Sequence, residues 1–168
     1  MKSYHNEEER GNPLPFTLQG KIPLYHYTTE DFGDIAILDP IEAKKRFNYY
    51  SLNDYKRTDV PRIFYYTDLA QTEKMITKHA KSLYMTYADG DRIFDINEAI
   101  FYYRNNQSSL KQLSPKIYEI IDTFIKMGGM NYQYLFEKIK EHYDGIYYVS
   151  SFPIVNMFIP LEVKKIEL

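Results

Sequence analysis

The chain contains no cysteine and no tryptophan. Without thiols there is neither a disulfide scaffold nor a thiolate metal site, and the composition suits a reducing compartment such as the cytoplasm. Glycine is sparse, with seven scattered residues and no phosphate-cradling loop, which sets aside P-loop and Rossmann-type nucleotide binding. The four histidines, His5, His26, His79 and His142, lack paired metal-ligand spacing, so no metal is expected. A serine-hydrolase elbow is also missing. No apolar run approaches the length of a spanning helix, and residues 1–12 are charged and polar. Neither a signal peptide nor a membrane anchor is therefore expected. Lys plus Arg total 21 against 23 Asp plus Glu, a net charge of −2 that by itself recruits neither nucleic acid nor an anionic membrane.

What is abundant is tyrosine. The 18 Tyr and 10 Phe include the pairs Tyr49-Tyr50, Tyr65-Tyr66, Tyr102-Tyr103 and Tyr147-Tyr148. Such residues could stack on bases, but they also pack well at half-buried strand positions, and packing is the simpler reading for most of them. At 168 residues the chain is long enough for one domain with a substantial core.

Residues 1–20 carry a charged run followed by Pro13 and Pro15, and read as a loosely held arm before a single domain over 21–168. Residues 22–28 alternate as a strand. Thr29 caps an expected short helix reaching Ile37-Leu38, where Asp39-Pro40 turns the chain. Residues 41–60 are polar and basic and read as a loop with one helical turn. Strands are expected over 63–66 and 82–88, with a helix over 68–80 between them. Asp89-Gly90 then suggests a hairpin to a partner strand at 92–96. Helices follow over 98–104, from Ser114-Pro115 to Lys126, and from an Asn131 cap to Lys140. Gly128-Gly129 separates the last two. Strands over 146–149, 155–159 and 163–166 close the chain. Strand-rich ends around a helical middle make an α+β fold.

Two short segments stand out. One is Leu24-Tyr25-His26-Tyr27-Thr28, and the other is Pro61 to Asp68, with Phe64-Tyr65-Tyr66-Thr67 at its centre. A lone strand histidine is ordinarily a hydrogen-bonded structural residue. Here the order aromatic-His-x-Thr, then a strand ending Tyr-Tyr-Thr-Asp, resembles the ADP-ribosyltransferase superfamily, in its His-Tyr-Glu branch with toxin-like and phage-associated members. Leu38-Asp39-Pro40, Leu83-Tyr84 through Ile93-Phe94-Asp95, and Tyr143-Asp144-Gly145-Ile146-Tyr147 extend the resemblance over roughly residues 22–168.

The resemblance implies a split β-sheet with flanking helices and NAD as the cofactor. His26 would bond the adenosine-side ribose, and the backbone at Tyr27 would pair with the nicotinamide amide, with Thr28 next to it in the cofactor-binding set. Tyr65 would stack on the nicotinamide ring, with Tyr66 as its register-shifted alternative and Tyr84 on the other ring face. Separately, the basic stretches Lys44–Arg46 and Lys56–Arg62 could hold the pyrophosphate or a nucleic-acid target, and Arg62 lies just before the tyrosine strand. The branch's glutamate, which offsets charge developing at the anomeric carbon, is replaced: Asn156 falls at its place and would only orient the ribose. Glu141, Asp144 and Glu162 are the carboxylates nearby in sequence. The implied activity is transfer of ADP-ribose from NAD to a protein or nucleic-acid acceptor. The alternatives are an inactive, partner-binding domain, which Asn156 favours, and an RNA 2′-phosphotransferase-like enzyme, which would need converging arginines. Oligomeric state is open at this point.

Overall fold

The computed structural model describes residues 15–46, 58–75, 82–149 and 152–167. They form one eight-stranded mixed sheet and six α-helices, an arrangement compatible with the expected α+β class. The strands are β1 (Lys21–Thr28), β2 (Ile35–Leu38), β3 (Ile63–Tyr66), β4 (Ser82–Asp89), β5 (Ile93–Asp95), β6 (Gly145–Val149), β7 (Pro153–Met157) and β8 (Leu161–Ile166). Their spatial order is β2-β8-β4-β1-β3-β7-β6-β5. The helices are α1 (Pro40–Arg46), α2 (Leu69–Met75), α3 (Ile96–Asn105), α4 (Gln107–Leu113), α5 (Pro115–Lys126) and α6 (Tyr132–Lys140).

Capping chemistry sets several of these boundaries. The Ser114 hydroxyl accepts from the Ile117 amide, with Pro115 in the first turn of α5. Asn131 caps α6 through the Tyr134 amide at 3.0 Å. Between these helices Gly128 and Gly129 adopt φ +98° and +70°, a left-handed conformation that glycine enters without a Cβ clash. Asp95 caps α3, and Asp39 accepts from the Ile41 amide at the start of α1.

Three expectations are corrected. The segment after β1 is not a helix but a turn leading into β2. Gly33, at φ +93°, breaks any helical path, and the Asp31 carboxylate accepts from its amide at 2.8 Å. Second, the strand after Asp89-Gly90 does not return beside β4. A 3-10 turn at Gly90–Arg92 sends β5 to the far edge of the sheet, where it pairs in parallel with β6. Third, residues 15–20 are no loose arm. Thr17 bridges Phe94, the Asp95 amide donates to the Phe16 carbonyl, and Phe16 is buried. Helix α4 was not expected from the sequence. The remainder of the expected arm and most of the 41–60 loop lie outside the described residues.

Two apolar cores lie on opposite faces of the sheet. Phe94, Ile146 and Tyr148 pack under α3–α6 with Ile117, Ile121, Phe124 and Phe136. Leu24, Ile63, Tyr65, Tyr84, Val155 and Val163 form the core on the other face. In the middle of the sheet, β1 and β3 are joined at one residue pair only, Tyr25 with Tyr66. Two four-stranded halves therefore meet at a short seam.

Candidate functional site

His26 stands at this seam. The β1–β3 register continues from Tyr25–Tyr66 to place His26 opposite Tyr65, and their ring centroids lie 5.7 Å apart. Cross-strand neighbours share a face. The Nδ1 of His26 lies 2.9 Å from the Phe64 carbonyl, which can only accept, so Nδ1 carries the proton. Desolvation holds the imidazole below its ordinary pKa of 6.5, against the opposing effect of the Phe64 bond. The neutral ring is thus fixed as one tautomer, with Nε2 as its remaining acceptor.

On the other side of β1, His26 pairs with Tyr84. The Tyr84 hydroxyl donates to the Gly33 carbonyl at 2.8 Å and accepts from the Phe32 amide at 2.9 Å, and the ring is fully buried. Residues 29–34 are thereby tied over Tyr84. The Lys165–Asp31 ion pair at 2.6 Å and the Thr28 hydroxyl, which accepts from the Glu30 amide, hold the same turn. Tyr65 is also fully buried, yet among the described residues its hydroxyl has no hydrogen-bond partner, and burial drives its pKa far upward. Ser82, opposite Thr28 and two residues from Tyr84, is a second buried hydroxyl without a partner among the described residues. Sequence reasoning missed Ser82, because a serine at a strand start carries no signal of its own.

The row containing His26 runs Tyr84, His26, Tyr65, Val155, Tyr147, Asp95 across the strands. Past Tyr84 it continues through Lys165 to Asp34 at the opposite edge, and Asp95 is the carboxylate at this end. Four strand spacings separate it from His26, about 19 Å along the sheet. Desolvation raises its pKa, and it is engaged as the α3 cap.

Asn156 is not in this row. It pairs with Phe64 and Ile146, and the same row continues to Phe94 in the core beneath the helices. Its Nδ2 donates to the Tyr148 hydroxyl at 3.0 Å, and the side chain is buried. The expectation that Asn156 joins His26 and Tyr65 in one cleft is therefore corrected: the pleat turns it to the opposite face. Tyr66 and Tyr27 also leave the His26 face. Their rings stack nearly parallel, 4° apart in plane, and burial raises the Tyr66 pKa to about 12. Arg62 is buried beside α6, with its guanidinium over the Phe136 ring and donating to the Thr58 carbonyl at 2.8 Å. It belongs to the helical core and not to the His26 pocket. Of the expected set, His26, Thr28, Tyr65 and Tyr84 share a face.

Elsewhere, a cavity of about 430 Å³ opens beside Lys44, Lys140, Asp59, Glu137 and Glu141, a mixed lining of two lysines and three carboxylates. Among the described residues no cluster of potential metal ligands occurs, and no helix is long and apolar enough to cross a membrane. No family model, curated protein or solved structure matches the chain.

Proposed function

We propose that this chain is an ADP-ribosyltransferase-like domain that binds NAD on the His26–Tyr65 face of its seam. The observation that carries the reading is the approach of a neutral, tautomer-fixed imidazole to within 5.7 Å of a tyrosine ring on one face. The donor set suits a nucleotide sugar. His26 Nε2 would accept from a ribose hydroxyl, and the unpartnered Tyr65 and Ser82 hydroxyls are polar groups that a hydroxyl- or amide-bearing ligand would satisfy.

NAD would supply a glycosidic bond to a cationic nicotinamide, a good leaving group. The chain's own residues would hold and desolvate it. Both Tyr65 and Tyr84 have covered rings, so stacking on nicotinamide requires the covering groups to give way. No carboxylate of the described residues stands beside His26, and Asn156 faces the helices. The reading is accordingly of tight holding and slow release of nicotinamide, with any ADP-ribose passed to a macromolecular acceptor at that slow rate.

A second reading, a partner-binding domain without cofactor, is favoured by the same closed rings. The RNA 2′-phosphotransferase-like reading loses its one candidate arginine at the pocket, because Arg62 lies in the helical core. Calorimetry with NAD separates the first two. Saturable binding that His26→Ala weakens at least tenfold supports the proposal, and absence of heat at millimolar NAD favours the partner-binding domain. Nicotinamide release in the same samples measures turnover.

A further inference from the structure

The outer edge of the sheet, β2, carries the sequence Ile35-Ala36-Ile37-Leu38 with no charge inside it. Its register with β8 is Ile35↔Lys164, Ala36↔Val163, Ile37↔Glu162 and Leu38↔Leu161. The Lys165 amide donates to the directly opposite Asp34 carbonyl at 2.8 Å, which marks 34/165 as a hydrogen-bonded pair. In an antiparallel ladder such pairs alternate, so Ala36 and Leu38 point their backbone groups at β8. The N–H and C=O of Ile35 and Ile37 therefore point outward, along an edge with no further strand among the described residues.

The same two residues are the exposed apolar ones, at 64% and 67% exposure, while Ala36 and Leu38 pack toward the core. Open backbone groups and open isoleucines thus coincide. An antiparallel partner satisfies both sets at once if it presents the same pattern, and this chain does. Only a twofold axis at Ala36 pairs Ile35 with Ile37 of the second copy and the reverse. An axis at either isoleucine leaves the other opposite Gly33 or Asp39. In the favoured register, each row runs from Lys164 of one copy through two isoleucines to Glu162 of the other, so the row ends have opposite charge.

We propose that β2 is a self-pairing edge, through which two copies of the chain join antiparallel about Ala36 into one continuous sheet. Four hydrogen bonds and a cluster of four isoleucines form its centre. The edge lies three strands from His26, so the inference stands apart from the NAD reading. Four residues per copy bury far less than the roughly 800 Å² per partner of a stable interface, so the dimer is weak and concentration-dependent.

Sedimentation velocity from about 5 to about 500 µM tests this, with a dimer fraction that grows with concentration as the expected result. Ile37→Lys keeps the backbone and adds charge to the edge. Ile37→Pro removes an N–H that the monomer's ladder does not use. Both variants are expected to stay monomeric at 500 µM with unchanged far-ultraviolet circular dichroism; if the proline variant does not fold, the lysine variant decides. Register is read separately, since the chain has no cysteine. Ala36→Cys places two thiols opposite one another, with Cα atoms about 4.5 Å apart, and should oxidise to a covalent dimer. Ile35→Cys, facing Ile37 of the second copy, should not. A chain that stays monomeric throughout, a dimer that survives both Ile37 variants, or equal cross-linking by the two cysteines overturns the proposal.

Discussion

The His26 imidazole holds the Phe64 carbonyl at 2.9 Å across the seam where the β1–β3 backbone ladder stops. Continuing the register puts that carbonyl opposite Tyr27, so a side chain takes the place of a ladder bond. The histidine is therefore a structural staple before it is a ligand.

That staple has a measurable worth. His26→Ala leaves the Phe64 carbonyl without its donor and should lower the unfolding free energy by about 1–3 kcal/mol. His26→Gln retains an amide donor of similar reach and should recover part of the loss. Urea unfolding of the three proteins checks this; equal stability for all three would show that the bond contributes nothing.

The same residue gives a pH dependence. Its folded pKa lies below the ordinary 6.5, so the unfolded chain takes up the proton first as pH falls. The contribution to stability is complete above about pH 6.5 and is lost below it, down to the folded pKa. Asp95 and Glu98, whose carboxyls burial pushes upward, act in the opposite direction at lower pH and are common to wild type and variant. The drop in unfolding free energy from pH 7.5 to 5.5 should be larger for wild type than for His26→Gln. Equal drops would remove His26 as the source.

Asn156→Glu is the substitution that the family resemblance invites, and here it should fail. The residue is buried on the helical face against Tyr148, so a glutamate there is an uncompensated buried charge. A loss of about 3–5 kcal/mol is expected, with no gain in nicotinamide release. Faster release from a folded Asn156→Glu protein would mean that the side chain reaches the NAD-binding face after all.

Gly145 begins β6 at a close approach to β7. A Cβ at this position would stand 2.9 Å from the Asn156 carbonyl oxygen and 2.5 Å from the Met157 sulfur. The sulfur can move; the backbone carbonyl belongs to the β6–β7 ladder and cannot move without disturbing it. Gly145→Ala should cost about 1–3 kcal/mol by overpacking, seen as a lower midpoint in thermal unfolding.

Much of the local structure was legible in the sequence because its causes are local. Ser114-Pro115, Asn131 and Gly128-Gly129 delimit α5 and α6 through caps and left-handed turns within a few residues. The alternation over Ile22 to Thr28 already separates His26 from Tyr25 and Tyr27. Errors came where a local signal had a distant competitor. Residues 35–38 have apolar content that suits helix or strand, and their pairing with β8, more than a hundred residues away, settles them as β2. Asp89-Gly90 is a good hairpin signal, but β4 is already flanked by β1 and β8, so the turn serves a longer journey to the opposite edge.

The candidate site divides in the same way. By itself the sequence determined which side chains alternate, and hence that His26 and Tyr27 face apart, as do Tyr65 and Tyr66. It could not determine how one strand's alternation aligns with another's, because register is a cross-strand property and a slip of one residue reverses every face. The tertiary structure decided that: Tyr65 meets His26 through the single Tyr25–Tyr66 pair, while Asn156, set opposite Phe64, turns to the helices.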